Sequence, residues 1–137
     1  MGDLVRFHTA EKLLLLAHEP AAYQKLGRLV ATAKGRDRAG VAAEYEETFL
    51  GALKTIATAR RHTNVLQHMA GYFKDKISAE EKKELLEVIV SYHDGLVPLI
   101  VPITLLKHYV RKYKEAYLSR QVYLNPHPLE LMLRNHV

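Results

Sequence analysis

Apolar side chains return every three or four positions along nearly the whole of this chain, and no segment shows the two-residue alternation of a half-buried strand. That periodicity points to helices packed on helices, an all-α fold. The 137 residues are enough for one core that withdraws roughly two-thirds of the unfolded surface from water without disulfide or metal staples. No internal repeat and no linker-like run of Gly, Ser or Pro divides the chain. Residues 1–137 therefore read as a single compact domain of about six main helices with short C-terminal helical pieces.

Local chemistry sets the expected boundaries. A first helix runs from Leu4 to His18 and Pro20 closes it; a second follows from Ala21 to Ala33. Asp37 caps a third, in which Val41, Tyr45, Phe49, Leu53 and Ile56 recur at helical spacing until near Ala59. A fourth spans Thr63 to Lys76. Ser78-Ala79-Glu80-Glu81 is a capping box that opens the fifth, with Leu85, Leu86, Ile89 and Val90 turned toward the core and a stop at Asp94-Gly95. The sixth runs from Pro98 to about Tyr113 and tolerates Pro102 because that proline sits one turn in, where a missing N–H costs least. Short helical pieces, Glu115 to Tyr123 and Leu129 to Leu133, flank the turn Asn125-Pro126-His127-Pro128.

Composition removes much chemistry at once. There is no cysteine, hence no disulfide, thiolate metal site, cysteine-ligated iron–sulfur cluster or cysteine nucleophile. The eight histidines contain no pair three or four apart, as a two-histidine helical metal site requires, so the reading carries no metal and no cofactor. The seven glycines are scattered rather than gathered into a phosphate loop. The N-terminus lacks the basic region of a signal peptide, and Leu96 to Leu106, the longest apolar stretch, is far short of the roughly 20 residues a bilayer demands. A cytoplasmic protein without a membrane span is expected. Twenty Lys and Arg against fifteen Asp and Glu give a net charge of +5, a weak attraction to polyanions.

Three segments are more polar than core building requires. In Arg60 to Lys74, Arg61, Asn64, His68 and Tyr72 share one side of a helix while His62, Leu66, Met69 and Phe73 share another. The polar stripe suits a phosphate contact from Arg61 and a base-edge contact from Asn64 or His68; it equally suits a network that orients neighbouring helices, with His62 an ordinary core histidine. In Lys107 to Gln121, the cations Lys107, Arg111, Lys112, Lys114 and Arg120 interleave with Tyr109, Tyr113 and Tyr117. Cations neutralise phosphates and tyrosine rings stack on unpaired bases, although rings spaced by four are also what a buried stripe looks like. The third segment, Gln121 to Pro128, presents Asn125 and His127 on a proline-stiffened turn that also serves as a plain connector.

These same segments resemble a known family. Phe7-His8 with Lys12, Leu16-Ala17-His18, His62-Thr63-Asn64-Val65-Leu66-Gln67-His68, Gly71-Tyr72-Phe73, Val97 to Pro102, Lys107-His108-Tyr109, Gln121-Val122-Tyr123 and Asn125-Pro126-His127-Pro128 are similar to the YbgA-type domains, whose function is unknown. The resemblance covers nearly the whole chain. It implies a helical domain, found alone or fused behind a TudS-like thiouracil desulfidase domain. Fused members are associated with removing sulfur from 4-thiouridine in transfer RNA, the helical part helping to hold the RNA. The desulfidase domain uses cysteines to hold an iron–sulfur cluster, which this chain cannot supply. One departure is His93, where Arg is usual in the family, so a permanent cation becomes a titratable one.

The expectation is an RNA-binding accessory domain for transfer RNA, linked to thiouridine metabolism and served by a separately encoded desulfidase. Its nucleic-acid-binding candidates are Arg61, Asn64, His68, Lys107, His108, Arg111, Lys112 and Gln121. The alternative is a small enzyme acting on a nucleotide or related metabolite with His68 or His127 as general acid or base, which requires several histidines in one enclosed pocket. A protein-interaction module would instead expose an apolar patch.

Overall fold

The computed structural model describes residues 2–126 and folds them entirely into helices and turns. In chain order they form α1 (Gly2–His18), α2 (Pro20–Ala31), α3 (Arg38–Leu53), α4 (Ala59–Gly71), α5 (Ala79–His93), α6 (Ile100–Lys112), the single turn α7 (Ala116–Ser119) and a 3-10 turn at Val122–Leu124. The all-α expectation holds. His127 and the helix expected from Leu129 to Leu133 lie outside the described residues.

Most helix starts are written locally. Asp37 Oδ2 accepts from Gly40 N–H at 3.1 Å, and the capping box is complete, with Glu81 N–H donating to Ser78 Oγ at 3.1 Å and Ser78 N–H to Glu81 Oε1 at 3.0 Å. Pro20 occupies the first turn of α2, and Gly95 ends α5 with φ of 77°, a left-handed conformation that costs glycine nothing. Pro102, the third residue of α6, is buried.

The second half of α1 organises the domain. Leu13 to Ala17 are all buried, so this stretch is apolar on every side and must be surrounded. One flank packs with α2 and α3, where Leu15 joins Leu26, Leu29, Val41 and Tyr45. The other packs with the remaining helices, where Leu13 and Leu16 join Leu66, Met69, Phe73, Leu85, Ile103 and Tyr123.

Three expectations are corrected. The third helix stops at Leu53 rather than near Ala59, because Thr58 takes an extended conformation and its hydroxyl accepts from Arg61 N–H at 3.2 Å, starting α4 four residues earlier than expected. Ile56, which continued the apolar period, is 74% exposed. The fourth helix ends at Gly71, not Lys76. On α5 only Leu85, Ile89 and Tyr92 turn inward; Leu86 and Val90 face outward.

Between α1 and α3, the buried His8 places Nδ1 2.8 Å from the Tyr45 hydroxyl, while Nε2 looks toward Gly27 of α2 and has no hydrogen-bond partner among the described residues. Burial first, and Lys12 second, push its pKa below the ordinary value of 6.5. Across the window from 6.5 down to the folded pKa the unfolded chain therefore binds more protons, so stability falls as pH drops. Thermal unfolding at pH 7.5 and 5.5 should show this loss in the wild type and less of it in His8→Gln; an equal loss in both would assign the acid sensitivity elsewhere.

Candidate functional site

The polar stripe of α4 separates into two roles. Arg61 turns back on the fold: Nη1 donates to His18 O at 2.7 Å, satisfying a carbonyl at the C-terminal end of α1, and reaches Ile56 O at 3.5 Å. His18 places Nδ1 2.8 Å from Thr55 O, tying down the same corner. Arg61 is thus a structural clamp before it is a phosphate ligand. Asn64 and His68 are exposed on the outer face. Tyr72 stacks on Tyr117, with centroids 5.1 Å apart and planes 19° from parallel. His62 is a core histidine, as one reading had it, with Nδ1 2.5 Å from the Tyr123 hydroxyl.

The basic helix α6 divides likewise. Lys107 and Arg111, one turn apart, both line two adjoining clefts of about 160 and 270 Å³ against the 3-10 turn and Asn125. Among the described residues no carboxylate lines either cleft and neither cation has an ion-pair partner. Lys112 is engaged differently: its Nζ lies 3.0 Å from Glu81 Oε2, and the Tyr113 hydroxyl donates to Glu81 Oε1 at 2.5 Å. The Ser78 backbone N–H, Tyr113 and Lys112 together hold the Glu81 carboxyl at about 2. Lys112 therefore pins α6 to the start of α5 rather than waiting for a ligand. The tyrosine stripe is mostly packing too, since Tyr109 is buried beside Phe73 and Tyr113 serves Glu81. His108 is exposed.

Gln121 is the clearest correction. Expected among the nucleic-acid-binding residues, it is fully buried: Nε2 donates to Thr9 O at 2.7 Å, and Oε1 accepts from Leu13 N–H at 3.2 Å. Those two groups are four residues apart on α1, the spacing of one helical rung. The side chain thus fastens the end of the described chain to the first helix.

A larger groove of about 930 Å³ lies where the N-terminal half of α4 faces the C-terminal end of α5. Arg60, Arg61, Asn64 and Gln67 form one wall, and Val90 and His93 the other, again without a carboxylate. The sequence reading missed Arg60 and Gln67; their signal was spacing, since 60, 64 and 67 fall on one helical face. Among the described residues His68 and His108 line none of these grooves. Among the described residues no cluster of three or more His, Asp or Glu could hold a metal ion, and no helix is long and apolar enough to cross a membrane.

A family model described as a protein of unknown function, DUF1722, matches residues 12–128. The chain belongs to the DUF1722 family. The uncharacterized protein YbgA of Escherichia coli (strain K12) is 36% identical over 135 residues, which covers 98% of this chain and 80% of that relative. This bears out the resemblance to the YbgA-type domains. No solved structure matches the chain. The DUF1722 match takes in both basic regions, from the second half of α1 through α4 and α6 to the turn after Leu124.

Proposed function

We propose that this DUF1722 domain holds RNA along the basic face of α6, with transfer RNA as the partner and thiouridine metabolism in the cytoplasm as its setting. The observation that carries this reading is the pair Lys107 and Arg111, two cations one turn apart that line both clefts and are engaged by no carboxylate among the described residues. Uncommitted cations at helical spacing neutralise successive phosphates and release their counterions. The net charge of +5 acts in the same direction. The resemblance to YbgA-type domains supplies the choice of transfer RNA. These 137 residues contain no cysteine, so any cluster-borne sulfur removal belongs to a desulfidase outside them, with this domain presenting the RNA.

The test is the binding of transfer RNA, with and without 4-thiouridine, at about 50 and 200 mM salt. Lys107→Ala/Arg111→Ala should weaken binding roughly tenfold at the lower salt and flatten the dependence of log affinity on log salt, because two phosphate contacts are lost. Lys112→Ala, whose ammonium is paired with Glu81, should change affinity much less. Equal affinity of wild type and double variant at low salt would sink the proposal.

A further inference from the structure

The groove between α4 and α5 continues beyond the region already described. A second cavity of about 230 Å³ occupies the other end of the same helix pair, lined by Ala70, Gly71, Lys74, Lys82 and Leu86 among others. Gln67 lines both cavities, so they form one valley along an antiparallel pair. From Lys82 to His93 this valley runs roughly 16 Å at about 1.5 Å per residue, three helical turns.

Its floor and rims have opposite characters. Leu86 and Val90, one turn apart on α5, are 42% and 55% exposed although their spacing is that of a buried face. Scattered exposed aliphatics are ordinary; two on the floor of one groove are not scattered. Arg60 and Lys74 stand on the α4 side and Lys82 on the α5 side, and among the described residues no carboxylate lines either cavity. His93 adds little charge, because Asp94 Oδ1 lies 3.1 Å from its Nδ1. At Gly71 a Cβ would meet no atom within 4 Å, so the valley is open there. Among the described residues no Phe, Tyr or Trp lines it and the His93 imidazole is the single flat ring, so it lacks the row of rings on which single-stranded nucleic acid stacks.

We infer that this valley docks an acidic amphipathic helix of a partner protein, which lies between α4 and α5 as the third member of a helical triad. Two packed helices offer a groove that accepts the ridge of a third at a shallow crossing angle. Apolar residues three and four apart on the incoming helix cover Leu86 and Val90, the anchor pattern of helix-in-groove recognition. Carboxylates along its flanks meet Arg60, Lys74 and Lys82, setting the partner's charge and orientation. The site is separate from the Lys107 and Arg111 clefts, so the two proposals stand or fall independently.

The probe is a synthetic helical peptide of about 18 residues carrying Leu at three- and four-residue spacing and Glu elsewhere. A scrambled peptide of the same composition and an oligouridine RNA serve as comparators, with binding to the whole chain followed by fluorescence anisotropy. The patterned peptide should bind at least tenfold more tightly than the scrambled one. Leu86→Lys/Val90→Lys should cost at least tenfold in that affinity even though it adds two positive charges, whereas Lys107→Ala/Arg111→Ala should leave it unchanged. Gly71→Leu, which fills the valley from a different helix, should give the same loss, so the test does not depend on one variant folding. Equal binding of patterned and scrambled peptides, or tighter binding by Leu86→Lys/Val90→Lys, would overturn the proposal. So would oligouridine displacing the peptide and losing affinity in Lys74→Glu/Lys82→Glu, which would assign the valley to nucleic acid.

Discussion

Gln121→Glu is expected to destabilise the domain by about 3 kcal/mol at pH 7 and to recover most of that stability near pH 4. The substitution conserves shape but replaces the Nε2 donor that meets Thr9 O with a carboxylate oxygen. At pH 7 this buries either a charge or a repulsive oxygen pair in a site with no accessible surface. Once protonated, the new carboxyl again offers one donor and one acceptor, reproducing the contacts to Thr9 O and Leu13 N–H. The folded-state pKa is therefore raised, so stability is fully present below the unfolded value of about 4.3 and lost as pH rises through the folded one. At pH 7 the midpoint should fall by roughly 10 °C. A melting temperature that matches the wild type at pH 7 would show that the amide contacts carry no weight.

Arg61→Ala should lower stability by about 2 kcal/mol, while His68→Ala on the same helix should stay within about 0.5 kcal/mol of the wild type. The Arg61 guanidinium donates to His18 O and reaches Ile56 O. Truncation leaves the last carbonyl of α1, and that of Ile56 between α3 and α4, without that partner. Exposed His68 has no comparable tie among the described residues. Chemical denaturation of the two variants separates the roles, and equal stability would return Arg61 to the list of free phosphate ligands.

What the sequence disclosed followed the range of the interaction. Capping at Asp37, Ser78 and Gly95 is decided within a few residues, and each of those boundaries was legible. The end of α3 was not, because Ile56 keeps the apolar period while Thr58, an ordinary threonine until its hydroxyl finds Arg61 N–H, starts a new helix. The candidate site shows the same divide. Lys107 and Arg111 were legible from charge at helical spacing. Lys112 was not separable from them, since the Glu81 that engages it lies 31 residues earlier. Gln121 carried no signal at all of being a clamp, because both its partners sit more than a hundred residues away. Leu86 and Val90 matched the pattern of buried positions, and only the placement of α4 beside α5 reveals that no described residue covers them.

The bond from Gln121 to α1 also sets an order of events during synthesis. Leu13 and Leu16 share their cluster with Leu118, Tyr123 and Leu124, so the helix of this domain that is made first is completed by nearly the last segment described. Until about residue 124 has cleared the exit tunnel, one flank of α1 lacks the part of its wall that Leu118, Tyr123 and Leu124 supply, and the Thr9–Leu13 rung lacks its side-chain clamp. The intervening helices can form and pair locally in the meantime, but the contacts between α1 and the segment from Leu118 to Leu124 can close only once that segment is made. Nascent chains halted before Gln121 are accordingly the ones that chaperones and proteases meet with that apolar flank still open.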